Sequence, residues 1–166
     1  MLPKFSLPLA GGVPVTAQSM GIMLAGVMLG PVRGALAVCL FLLVVALGAP
    51  LLAGGRGGLG VFAGPSAGFL FGFPVAALVT GLLMQTLKSM SVFWSACIAS
   101  LVGGIFVMYL FGIPGIMLTT DLDARSAFMA VLIFIPGDLI KIVLTGLLAK
   151  TVAKGYPDAL ISRNVQ

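Results

Sequence analysis

The sequence predicts an all-α integral membrane protein, and three observations carry that prediction. Apolar residues make up 60% of the 166-residue chain and charged residues only 8%, with a mean hydropathy of +1.24; an ordinary water-soluble core does not have this balance. The apolar residues gather in runs near the length that crosses a bilayer, about 20 residues with 17 to 25 as the usual range. Finally, 23 glycines and 10 prolines are too many for simple rods. Membrane helices tolerate both where neighbouring helices or cavities satisfy the freed backbone groups, so broken or closely packed helices are expected.

Five segments meet or approach the span criterion, within a single transmembrane domain. The first, about 16–29, is short and holds Thr16, Gln18 and Ser19. The second, 34–53, contains the near-continuous "ALAVCLFLLVVAL". A glycine-rich loop follows, then segments at 67–87, 92–111 and 126–152. The last is long enough to tilt, or to bend at Pro136. Gly26, Gly30 and Gly34, and again Gly64, Gly68 and Gly72, recur every four residues, a spacing that lets helices approach closely.

Charges in the connections set an orientation. Arg33, Lys88, Lys150, Lys154 and Arg163 fall on one side; Lys4, Arg56, Arg125, Asp121 and Asp123 fall on the other. By the positive-inside rule the first set, with the C-terminus, is cytoplasmic and the glycine-rich loop is outside. Counting back through five spans leaves Lys4 outside. The N-terminal "MLPKFSLPLAGGVPV" has no basic region ahead of a long apolar core, so it does not read as a signal peptide. It reads instead as an extracytoplasmic connection, and a further helix upstream is expected.

Several function classes drop out. The net charge of +5 comes from nine scattered cations, without the basic run or aromatic platform of a nucleic-acid surface. Cys39 and Cys97 stand alone in apolar segments and the chain has no histidine, so no metal site is expected. Gly55, Gly57 and Gly60 match G-x-G-x-x-G in letters, but membrane segments flank them, where a dinucleotide fold needs a soluble strand and helix. No G-x-x-x-x-G-K-[ST] phosphate loop is present.

Two features remain as candidate machinery. The loop "LLAGGRGGLGVFAGPSAGFLFGF" is long for a connector, and its glycines suit a lid whose backbone closes over a ligand. Arg56 in this lid suits a carboxylate. Phe62, Phe69, Phe71 and Phe73 cluster nearby, either lining a pocket or facing lipid. The other feature is "IFIPGDLIK". An ionised group at a helix centre costs about 2.5 to 3.5 kcal/mol on insertion scales. Asp138 and Lys141, three positions apart, share one helix face and can share charge. At about 1.5 Å per residue from Ser126, Asp138 lies about 18 Å in, near the bilayer middle, where snorkelling is hard. Such residues mark a functional site by default. Pro136 and Gly137 loosen the helix just before them.

Three blocks in order, "GGVPVTAQSMGIMLAGVMLGPVRGALAV" (11–38), "AGGRGGLGVFAGPSAGFLFGFPVAA" (53–77) and "PGDLIK" (136–141), make the chain closely resemble the BioY family. That family comprises biotin-specific substrate-binding subunits of energy-coupling-factor (ECF) transporters. The resemblance implies six helices with cytoplasmic termini in the plasma membrane, and biotin held near the outer face beneath loops. It also implies an ECF transmembrane coupling protein and ATPase subunits as partners, with no cofactor. On this reading Asp138 accepts a ureido N–H, Arg56 or Lys141 faces the carboxylate or the ureido oxygen, Gln18 and Ser66 add polar contacts, and Gly58 is a contact from the loop. Phe62, Phe69 and Phe71 form the apolar wall. A subunit for another small vitamin is the runner-up. A membrane enzyme using Asp138 and Lys141 as acid and base is weaker, because no nucleophile, metal set or second acid accompanies the pair.

Overall fold

The computed structural model describes residues 18–164; Lys4, Thr16 and the connection they belong to lie outside the described residues. Eight α-helices account for most of this length: α1 (Gln18–Leu29), α2 (Pro31–Ala46), α3 (Ala67–Thr86), α4 (Val92–Leu101), α5 (Met108–Thr119), α6 (Ala124–Leu132), α7 (Ile135–Gly155) and α8 (Ile161–Asn164). Among the described residues the β pairing found is an isolated Leu52–Arg56 bridge. The protein is an all-α membrane protein.

Helix boundaries follow local chemistry. Gly30 separates α1 from α2 with φ of 84°, a conformation open to glycine, and Pro31 opens α2, where its missing N–H costs nothing. The sequence predicts a second segment reaching Ala53, but α2 ends at Ala46 and the chain turns through Gly48, at φ 106°. The fourth segment runs further than its predicted end at Phe111: α4, a wide turn at Val102–Val107 and α5 form one 28-residue apolar helix, Val92–Thr119.

The predicted fifth segment is not one helix. α6 and α7 meet at 49° across a short break, and Pro136 sits in the first turn of α7. Proline is tolerated there because the first N–H groups of a helix have no intrahelical partner. By length and composition, α3 and the Val92–Thr119 helix can each cross a membrane alone, and α6 with α7 makes a third span if counted together. α1 and α2 are apolar but have only 12 and 16 residues.

α3 is the hub, packing against α1, α2, α4 and α5. Small residues bring the backbones together. A methyl group on Gly81 would lie 2.3 Å from the Pro31 nitrogen, and one on Gly26 would lie 2.5 Å from the Ala77 carbonyl oxygen. Gly68 of α3 meets Gly115 of α5 in the same way, at 2.7 Å from its Cα. Such contacts replace the hydrophobic drive that lipid cannot supply between helices.

The chain's last residues close one end of the bundle. Leu160 is buried against Val27, Met84, Ala96, Ala99 and Ala149. Ser162 donates to the carbonyl of Val27, and Arg163 Nη2 donates to the carbonyls of Leu87 (3.0 Å), Lys88 (3.1 Å) and Met90 (2.7 Å). These bonds gather the α1–α2 turn, the α3–α4 turn and α8 at one end. Arg33, in the first turn of α2, and Lys88 belong to the same end, opposite the loop that carries Arg56.

A polar cluster and cavity around Asp138 and Lys141

The break before α7 positions the site. Asp138 lies in the first turn of α7, not mid-way along an unbroken helix as its sequence position implies. Its N–H still bonds the carbonyl of Phe134, at 2.9 Å, and the positive end of the helix dipole favours a carboxylate at this point. One turn on, Lys141 Nζ lies 2.8 Å from Asp138 Oδ1, and both side chains are largely withdrawn from the surface, at 14% and 7% exposure. Lys141 therefore points inward and does not snorkel.

Two further helices complete the polar cluster. Lys141 Nζ donates to Ser19 Oγ of α1 at 2.9 Å, and Ser19 Oγ donates to Asp138 Oδ1 at 3.3 Å. Tyr109 of α5 donates its O–H to Asp138 Oδ2 at 2.7 Å. A charge pair in an apolar interior is tolerable only when its remaining donors and acceptors are engaged. Here α1, α5 and α7 supply the partners.

These groups open onto a cleft of about 650 Å³ that includes open solvent at its mouth, lined by apolar side chains with a few convergent polar groups, as small-molecule sites are. Of the residues singled out from sequence, Asp138, Lys141, Arg56, Gln18, Ser66 and Phe69 line it. Arg56 is solvent-exposed at the mouth, where its Nε donates to the Ala53 carbonyl at 3.2 Å. Gln18 Oε1 accepts from the Ala53 N–H at 3.2 Å, tying the glycine-rich loop to α1. Phe69 packs edge-on against Tyr109, with ring centroids 6.2 Å apart.

Phe62, Phe71 and Gly58 fall outside the lining. Phe71 is 60% exposed and stacks on Phe62 at 5.9 Å. The two rings form a cluster outside the cavity, because Phe69 and Phe71 cannot face the same way two residues apart on a helix. Gly58 turns the loop at φ 82° and donates its N–H to Val45, at 2.7 Å. The apolar wall comes from Phe69 and Phe73 of the aromatic cluster together with Leu52, Leu70, Met108 and Phe134, and the sequence pattern does not distinguish these last four from other core residues. Ser19 and Tyr109 were the polar omissions. A tyrosine hydroxyl inside an apolar run needs a partner when buried, and that signal was available in "FVMYLFG".

Fold and site together define a helical membrane protein that encloses a small-molecule cavity with a charge pair at its floor. The BioY family model matches residues 1–158, and the chain belongs to that family. It is 50% identical to a Rhodobacter capsulatus protein named biotin transporter BioY, over 95% of this chain and 88% of the relative. A Rhizobium etli protein of the same name is 46% identical over 95% of this chain and 86% of the relative. Among solved structures, the S-component for biotin from an ECF-type ABC transporter superposes with a TM-score of 0.85 at 30% identity, covering 93% of this chain and 82% of that one.

Proposed function

We propose that this chain captures biotin at the outer membrane surface and delivers it across the membrane as the substrate-binding subunit of an ECF transporter. The observation that carries the reading is the Asp138–Lys141 pair at 2.8 Å in the lining of a largely apolar cavity, in a chain of the BioY family. It is a transport protein and not an enzyme: its curated relatives carry the name biotin transporter.

The chemistry of the cavity matches the ligand. Biotin's ureido group sets an N–H beside a carbonyl. Asp138 offers an acceptor and Lys141 a donor side by side, and Lys141 Nζ, with three protons of which two are engaged, keeps one for a ligand oxygen. Phe69, Phe73 and Phe134 receive the thioether ring. Arg56, exposed at the mouth, takes the carboxylate tail, while Ser66 and Gln18 add polar contacts. This division uses Lys141 for the ureido oxygen, since its ammonium is already held by Asp138 and Ser19.

The chain has no phosphate-binding loop of the G-x-x-x-x-G-K-[ST] type, so ATP hydrolysis belongs to partner subunits, reached through a transmembrane coupling protein. The cations Arg33, Lys88, Lys150, Lys154 and Arg163 support a plasma-membrane orientation with the C-terminus in the cytoplasm. The bundle functions as a single domain.

The test is biotin binding to the purified full chain by titration calorimetry, with Asp138→Asn alongside. Wild-type binding should be tight and the variant weaker by at least about a hundredfold, the scale expected when a hydrogen bond to a buried charge is lost and its partner stranded. A wild-type chain that retains no biotin, or a variant that binds as well, would rule the reading out.

A further inference from the structure

Tyr109 carries a further reading of this cavity. A carboxylate has about four acceptor positions, two on each oxygen. Lys141 Nζ and Ser19 Oγ fill Oδ1 of Asp138, at 2.8 and 3.3 Å, and Tyr109 Oη occupies one position on Oδ2 at 2.7 Å. A single position on Oδ2 remains, beside the phenol. Without the phenol, both positions on Oδ2 are open and the outer oxygen has no fixed partner.

The phenol is itself tightly placed. Its ring meets Phe69 at 89°, and Phe69 lies over Gly112, where a methyl group would come within 2.3 Å of the ring. Its register depends on the wide turn before it. The N–H of Met108 reaches the carbonyl of Gly103, five residues back, so the turn holds one residue more than a regular helix. One residue corresponds to about 100° of rotation. In a regular helix, Met108 would take the direction that Tyr109 now has, and Met108 has no O–H to give. The widened turn fits because Gly103 and Gly104 have no side chains where it lies on Thr80 of α3 and Met23 of α1.

We infer that Tyr109 is a positioning residue for ligand binding: set in register by the wide turn, its hydroxyl fixes the Asp138 carboxylate so that one acceptor position faces the ligand's N–H. The inference rests on the biotin reading above and assigns a role to a residue that need not touch the ligand.

The experiment uses Tyr109→Phe, which keeps the ring on Phe69, in the purified full chain. Biotin binding is measured by titration calorimetry, and the ligand-free protein, labelled with ¹³C-carboxyl aspartate, is examined by infrared spectroscopy. The chain has only four acidic residues, all aspartates, and Asp138→Asn identifies the band of interest. The expected result is biotin binding about ten- to a hundredfold weaker, as for a lost hydrogen bond to a charged group. The Asp138 carboxylate stretch should shift, and the melting temperature should stay within about 3 °C, since one neutral ring replaces another. Unchanged affinity overturns the inference. So does weakened binding with an unshifted Asp138 band, because the effect would then not pass through the carboxylate. A wild-type chain that binds no biotin overturns the uptake reading instead, and the infrared shift then decides by itself whether Tyr109 holds Asp138.

Discussion

The two ends of this bundle solve opposite problems with the same few helices. At the end closed by α8, backbone meets backbone through glycine, Leu160 fills the remaining gap, and Arg163 engages three carbonyls from the α3–α4 turn. At the other end, α7 begins late, the Val92–Thr119 helix widens, and a cavity is left where helices would otherwise touch. At the closed end Ser162 and Arg163 bond chiefly to backbone carbonyls; at the cavity end Ser19, Tyr109 and Lys141 converge on the Asp138 side chain. The closed end fixes the helices so that the open end can keep a vacancy and a charge pair without collapsing.

Substitutions at the two ends should therefore separate stability from binding. The largest effect is expected for Gly81→Val, which places three carbons where the backbone of Gly30 and Pro31 already sits. Overpacking of this kind costs about 3 kcal/mol or more, a fall on the order of 10 °C in melting temperature for a chain of this size. Differential scanning fluorimetry in detergent checks it; a melting temperature within 2 °C of wild type would mean that the crossing is not tight.

Lys141→Met comes next and acts at the open end. It leaves the Asp138 carboxylate without its cation, a loss of up to about 3 kcal/mol, the low end for buried pairs because the cavity opens to solvent. Biotin affinity should fall about a hundredfold in titration calorimetry, together with a lower melting temperature. Adding Asp138→Asn to Lys141→Met should restore the melting temperature but not the binding.

Gly112→Ala sharpens the comparison, because it touches the cavity through packing alone. The added methyl drives the Phe69 ring toward the ligand space, and a ring can move where backbone cannot. About tenfold weaker binding is expected with little change in melting temperature. Equal loss of both would place Gly112 with the closed end.

Arg163→Ala is the mirror case and the smallest effect. Its guanidinium bonds backbone carbonyls and Ser95 Oγ at the partly exposed closed end, so a loss of about 1 to 2 kcal/mol is expected. Biotin affinity should stay within twofold. A larger change in affinity would show that the tail and the cavity are coupled.

The membrane class, the helical fold and the pairing of Asp138 with Lys141 were legible in the sequence because each follows from local facts. Apolar runs need no context, and two charges inside one of them are costly wherever the chain goes. The glycine repeats likewise announced close helix packing, which Gly26, Gly34 and Gly68 display. Boundaries were less legible. Hydropathy does not distinguish a helix that bends at Pro136 from two helices meeting before it, nor does it locate an extra residue in a turn of α4 and α5.

Aromatic side chains show the same limit. Phe69 and Phe71 are two residues apart and chemically identical, yet one lines the cavity and the other is 60% exposed. The helix period forces them apart, but only packing against α5 decides which turns inward. Ser19 and Tyr109 were missed for a related reason: each is an ordinary residue until α1 and α5 bring it to Asp138, 119 and 29 positions away.

The sequence alone thus determined the solvent this protein lives in, the secondary structure it uses and the charge pair it must shelter, because transfer energies and residue periodicity are local properties. Only the tertiary structure decided how that pair is sheltered. The partners of a buried carboxylate are set by helix crossings and helix register, which depend on contacts across the whole chain.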